Sequence, residues 1–220
     1  MIIAIDGPSG SGKSTLGRLL ARALGLLYID TGSMYRAVAL AVIDASIDPS
    51  DTDAVTSLAN EIDIDLEGDP ESLKVLLNGR DVTDQIRTES VTAMSSIVST
   101  IPGVRRAMVE RQRTLGRRGA VLNGRDIGTV VFPKADFKFF LTANPNERAE
   151  RRYKEDHLMS SSTATLAETL ADMIERDRRD STRADSPLKV ADDAVVIDST
   201  GKSIDGVFRE MMEKIRSKSV

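Results

Sequence analysis

Residues 7–14 read Gly7-Pro8-Ser9-Gly10-Ser11-Gly12-Lys13-Ser14, the full G-x-x-x-x-G-K-[ST] pattern. Each part answers a demand that phosphate makes. Glycines let the backbone curl until successive N–H groups converge on one anion. A helix opening at Lys13 adds the positive end of its dipole. The Lys13 ammonium reaches the β- and γ-phosphates, and the Ser14 hydroxyl suits Mg²⁺. The flanks fit as well: residues 2–6 read as a short buried strand, and residues 13–24 as a helix closed by Gly25. An ordinary Gly/Ser-rich loop would not require a strand before it and a helix after it. A nucleoside triphosphate with magnesium is therefore expected.

The kind of P-loop protein can be narrowed by elimination. A guanine reader of the form Asn-Lys-x-Asp is missing, because Asn60, Asn78, Asn123, Asn144 and Asn146 are followed by Glu, Gly, Gly, Pro and Glu. Asp198-Ser199-Thr200-Gly201 fits an Asp-x-x-Gly switch but lies in the last strand pattern, far too late. A motor or transporter ATPase needs a longer chain. A small phosphotransferase remains, and it needs a second phosphate site facing the first. Three arginine groups are candidates: Gly124-Arg125-Asp126 after a strand pattern; Arg148, Arg151 and Arg152 on one helix face; and Arg176, Arg179 and Arg183 on another. Each helix stripe has a plainer reading as a solvated, salt-bridged surface, with Glu147, Glu150, Glu155, Glu175 and Asp177 as partners. Two stripes beside a full P-loop favour phosphate clamps. The chain has 21 Arg against 9 Lys, and Arg is the better bidentate grip on phosphate. A phosphate acceptor is already anionic, so positioning and charge neutralisation suffice and no general base is required.

Composition agrees by exclusion. With no cysteine, thiolate zinc sites and cysteine nucleophiles are ruled out, and with one histidine a Ser–His–Asp triad or a multi-histidine metal site is nearly excluded. His157 is read as a surface residue in a polar loop. A net charge of -4 argues against nucleic acid as the main partner. No apolar run reaches the roughly 20 residues of a spanning helix, and the start, Met-Ile-Ile-Ala-Ile-Asp, has neither a basic region nor a cleavage site. A cytoplasmic protein that binds no membrane is expected. At 220 residues one sizeable core is the expectation.

The elements that must position these residues alternate. Strand patterns cover 2–6, 27–30, 120–122, 137–142 and 194–198; helix patterns cover 13–24, 33–44, 102–117, 145–154, 166–180 and 203–218. An α/β fold follows, with a five-stranded parallel sheet flanked by helices. Residues 62–87 break the alternation. Their period-2 apolar residues and the Asn78-Gly79 turn predict a small antiparallel insert, either decoration or a mobile flap over the substrate.

The P-loop, Ile29-Asp30-Thr31-Gly32-Ser33-Met34-Tyr35-Arg36, Ile86-Arg87-Thr88, Gly124-Arg125-Asp126-Ile127-Gly128-Thr129-Val130-Val131-Phe132-Pro133, Glu175-Arg176-Asp177, Arg183 and Asp198-Ser199-Thr200 together resemble bacterial cytidylate kinases, over nearly the whole chain. The resemblance implies a P-loop NTPase fold and phosphorylation of CMP and dCMP by ATP with Mg²⁺, by a cytoplasmic monomer. It also implies a core of 1–61 and 88–220, a monophosphate-binding insert of 62–87 and a lid of 151–163. ATP would lie on Gly7, Pro8, Ser9, Gly10, Ser11, Gly12, Lys13, Ser14 and Thr15. CMP would be lined by Thr31, Tyr35 and Arg36, with Arg36 and Arg125 on its phosphate. Ser96, Arg105 and Asp126 would face the cytosine, Arg176 and Asp180 the ribose, and Arg183 the phosphates. Lys13, Arg125, Arg151 and Arg183 would carry the catalysis, with Arg151 closing over ATP. Many members carry an acid before Gly-Arg-Asp where this chain has Asn123, so the metal is assigned to Ser14 alone. Two alternatives stay open: a small P-loop kinase for another acceptor, and a nucleotide-binding regulator with a vestigial site.

Overall fold

The computed structural model describes residues 1–159 and 163–218. Five strands form one parallel sheet: β1 (Ile2–Asp6), β2 (Leu27–Asp30), β6 (Ala120–Gly124), β7 (Phe137–Thr142) and β8 (Val195–Asp198), in the order β2-β6-β1-β7-β8. Alternate residues of β1 point to opposite faces, so each strand feeds two cores. Ile3 and Ile5 pack under α1 (Lys13–Leu24) and α8 (Ile204–Lys218), against Leu16, Leu20, Val207, Met211 and Ile215. Ala4 faces the other way, toward α2 (Thr31–Asp44) and α5 (Pro102–Gly116), with Met34, Val38, Val104 and Met108.

The antiparallel segment appears as expected: β3 (Ile64–Glu67), β4 (Lys74–Leu77) and β5 (Arg80–Asp81) form a three-stranded sheet, followed by a 3₁₀ turn at Gln85–Arg87. Asn78 and Gly79 both have positive φ at the β4–β5 turn, and Asn78 also accepts the Asp63 N–H at 2.7 Å. The small sheet has no core of its own. Ile64, Leu66, Val75, Leu77 and Ile86 are continuous with the apolar layer around α2.

Two helices escaped the sequence reading, α3 (Thr52–Glu61) and α4 (Glu89–Val98). Both are short and half polar. Their signals were local: Asp51 caps α3 by accepting the Ala54 N–H at 3.0 Å, and Thr88 caps α4 by accepting the Val91 N–H at 3.4 Å. Helix α6 (Pro145–Met159) also runs past its expected end, and α7 (Leu166–Thr182) follows. Residues 151–159 of the expected lid therefore continue α6, and 160–162 lie outside the described residues. His157 is on that helix and not in a loop, its ring 4.0 Å from that of Tyr153.

The register brings the strand ends level. Asp6 pairs across from Gly124, and Asp30 across from Asn123. Three loops thus leave the carboxyl edge of the sheet side by side, where ligands collect in such folds.

Candidate functional site

The P-loop leaves β1 as Gly7 and enters α1 at Lys13. Gly7 has φ 145°, and a Cβ there would stand 2.1 Å from the Leu141 carbonyl oxygen, so no other residue fits. Gly12, with φ 94°, is the N-cap of α1 and turns the first amides of the helix into the loop. Lys13 is buried and folds back to donate to the Pro8 carbonyl at 2.6 Å; the Ser11 hydroxyl donates to the same oxygen at 3.0 Å. Burial holds the Lys13 ammonium well below the ordinary lysine range, and the nearby Arg125 pushes it the same way. A desolvated ammonium held beside a guanidinium gains most from an arriving polyanion. Thr15 continues the first turn of α1.

Beside the loop, Ser14 Oγ accepts from Asn123 Nδ2 at 3.0 Å, while the buried Oδ1 of Asn123 has no hydrogen-bond partner. Those two oxygens are hard donors of the kind Mg²⁺ takes. Among the described residues there is no group of three or more His, Cys, Asp or Glu able to hold a metal, so most of the shell would come from waters and phosphate oxygens.

Facing the P-loop is a network of guanidiniums and carboxylates. Arg125 Nε donates to Asp180 Oδ2 at 2.8 Å, and Arg183 Nη1 to Asp180 Oδ1 at 3.3 Å. Burial alone would raise the Asp180 pKa, but Arg125, Arg176 and Arg183 hold it below the usual carboxylate value. Arg105, only 2% exposed, donates to Asp126 at 2.5 Å and lies over the Tyr35 ring at 5.6 Å. Arg183 stands 3.8 Å from the other Asp126 oxygen. Burial pushes the Tyr35 phenol up to about 12. Arg176 makes no hydrogen bond or ion pair among the described residues, and burial lowers its pKa to about 10, helped by Arg125. Thr31 Oγ1 donates to the Asn123 carbonyl at 2.7 Å; Arg36 donates to Ser33 Oγ at 2.9 Å and is 3.6 Å from Asp30. Arginines from the β6 loop, α5, α7 and the turn beyond it thus converge on the ends of β1 and β6.

Other sequence-predicted residues lie apart. Ser96 is on α4, its hydroxyl donating to the Thr92 carbonyl at 3.4 Å, and no hydrogen bond links it to Arg105 or Asp126. The two arginine stripes do not act as units. Arg183 lies one residue past the end of α7, where the chain turns extended, and Arg179 pairs at 3.7 Å with Glu175. On α6, Arg152 stands 3.6 Å from Glu155, and Arg151 donates to Ser199 Oγ and Ser199 O at 3.0 Å each. Arg148 is no exposed clamp: it donates to Asp177 at 2.5 Å, to the Ser9 carbonyl at 3.0 Å and to the Ala143 carbonyl at 3.1 Å. Asp177 in turn accepts the Ser9 N–H at 3.3 Å. This pair grips the outer P-loop peptide from both sides, and residue spacing alone did not reveal it. Asp6 was also overlooked as a functional residue. Its signal was a lone carboxylate closing the apolar strand Ile2–Asp6, where it is 5% exposed.

Comparison with known proteins agrees with this geometry. Residues 3–217 match the family described as cytidylate kinase. A cytidylate kinase of Geobacter sp. (strain M21) is 50% identical over 215 residues, 97% of this chain and 91% of the relative. One from Halalkalibacterium halodurans is 45% identical over 219 residues, covering 99% and 98% of the two chains. Among solved structures, an uncharacterized protein from Eubacterium ventriosum shares the fold, with a TM-score of 0.52 at 11% identity over 99% of both chains.

Proposed function

Because the chain belongs to the cytidylate kinase family, we propose that it transfers the γ-phosphoryl group of ATP to CMP, and to dCMP. One observation carries the reading: a complete phosphate cradle and a carboxylate-ordered guanidinium cluster meet at the level ends of β1 and β6. The first suits a triphosphate donor and the second a phosphate acceptor.

The acceptor is the CMP phosphate, largely a dianion at neutral pH. Its oxygen needs no base; it needs to be held in line and relieved of repulsion by the donor. Arg36, Arg125 and Arg183 are assigned to that phosphate. Arg125 and Arg183 are preorganised, since Asp180 fixes both guanidiniums before substrate arrives. Lys13 leaves the Pro8 carbonyl and follows the migrating charge, restoring its own proton affinity as it meets phosphate. Arg176 and Asp180 take the ribose. Thr31 and Tyr35 line the pocket, Asp126 and Arg105 face the base, and Ser96, which lies apart on α4, is assigned to the base by the family resemblance alone. Ser14 and Asn123 would hold Mg²⁺ on the ATP phosphates, where it supplies charge neutralisation for the transferred group. Arg151 moves from Ser199 to ATP as its stretch of α6 and the insert 62–87 close and exclude water. The monomeric state and cytoplasmic location rest on the family resemblance.

A coupled assay across CMP, dCMP, UMP, AMP and GMP tests the proposal. Turnover with CMP and dCMP well above the rest is expected. Tight ATP binding with no turnover of CMP overturns it.

A further inference from the structure

Asp6 ends β1, immediately before the P-loop. Its two carboxylate oxygens accept the N–H groups of Ile127 and Gly128, both at 2.8 Å, from 121 and 122 residues away. Those are the first two amides of the π-turn Ile127–Val131, which follows Asp126 directly. The opening amides of a helical turn have no acceptor within it and need a cap. Asp126 occupies the N-cap position and is the residue type that ordinarily caps, yet its side chain makes no cap bond. It turns instead to Arg105 and Arg183, while its carbonyl receives the N–H groups of Val130 and Val131 at 2.8 and 3.2 Å. Asp6 performs the capping that Asp126 gives up. The fit is close, since a Cβ on Gly128 would stand 3.3 Å from Asp6 Oδ2 and 3.1 Å from Lys138 Cδ.

We propose that Asp6 is a positioning residue of the acceptor site: by capping this turn from β1, it frees the Asp126 carboxylate for Arg105 and Arg183 and sets the direction of Arg125. The strand that feeds the ATP cradle then also orders the loop that meets the monophosphate. This rests on the functional reading above, in which Arg125 and Asp126 face CMP.

Isothermal titration of the full chain with CMP and with ATP tests it, in wild type, Asp6→Asn and Asp6→Ala, each also in an Arg125→Ala background. Asp6→Asn keeps one acceptor and Asp6→Ala keeps none. CMP should bind about tenfold more weakly to Asp6→Asn and weaker still to Asp6→Ala, with ATP changed by less than about twofold. Because Asp6 acts partly through Arg125, the Asp6→Asn effect should shrink below about threefold when Arg125 is already Ala. Parallel loss of ATP and CMP, an unchanged CMP affinity, an undiminished effect in the Arg125→Ala background, or failure of both variants to fold would overturn the assignment, since Asp6 would then be structural or idle. If wild type takes no CMP, the functional reading falls by itself, and amide exchange judges the cap. Faster exchange at Ile127 and Gly128 in Asp6→Asn upholds it; equal exchange refutes it.

Discussion

Replacing Asp126 by Asn removes one charge from the most buried part of the site and adds an amide donor. Arg105 is 2% exposed, and among the described residues Asp126 is the only carboxylate within ion-pair distance of its guanidinium, at 2.5 Å; Arg183 stands 3.8 Å from the same carboxylate. In the variant two guanidiniums face a neutral amide. Breaking a buried pair on one side costs several kcal/mol, and the retained amide oxygen offsets part of that, which leaves roughly 2–4 kcal/mol. For a chain of this length the melting temperature should fall by about 5–12 °C. Base choice should move as well. Cytosine offers a 4-amino donor where uracil offers an O4 acceptor, so a carboxylate there favours CMP, whereas an amide can serve either. Each mispaired group costs on the order of 1–3 kcal/mol, so the CMP-to-UMP ratio in kcat/KM should narrow by roughly tenfold. Thermal unfolding and steady-state kinetics on one preparation read both effects. A melting temperature within about 2 °C of wild type would refute the dependence of Arg105 on Asp126. Equal loss of CMP and UMP turnover would make Asp126 a brace for Arg105 and move base recognition elsewhere.

Lys13→Ala should lower kcat by at least about 100-fold with KM for CMP nearly unchanged, because its charge tracks the transition state; an effect on KM alone contradicts that role. Arg176→Ala should weaken CMP by more than about tenfold and ATP by less than twofold. It should not lower the melting temperature, since among the described residues the Arg176 guanidinium has no hydrogen bond to lose, and its burial beside Arg125 disfavours its charge; titration showing ATP weakened and CMP not would put α7 on the donor side. Burial raises the Asp6 pKa from 3.8 to about 6, so the native state holds that proton more tightly than the unfolded chain. Wild type should therefore lose up to about 3 kcal/mol relative to Asp6→Asn as pH rises from about 4 to 7; urea unfolding of both proteins that gives a pH-independent difference would refute it. CMP and ATP together should slow hydrogen exchange across residues 62–87; equal protection with and without nucleotide would leave that sheet as decoration.

The phosphate cradle was legible in the sequence because it is local. Glycines at positive φ, a lysine and a serine within eight residues define it, and the strand and helix beside it carry their own periodicities. The parallel sheet and the small antiparallel insert were legible for the same reason, being written in residue alternation and the Asn78-Gly79 turn. Short, half-polar helices such as α3 and α4 were not, since single caps at Asp51 and Thr88 are their main marks.

Arginine spacing misled where tertiary contacts took over. Arg148, Arg151 and Arg152 share a helical period, yet one is buried against Asp177 and the P-loop, one rests on Ser199, and one pairs along its own helix. Periodicity says which residues share a face; it does not say what that face meets. The partnerships of Asp6 with Ile127 and Gly128, of Asp126 with Arg105, and of Asp180 with Arg125 were decided only when the register brought the ends of β1 and β6 level. A buried charge or amide must find its partner in space, and distance in space is set by sheet order, which spacing along the chain does not encode.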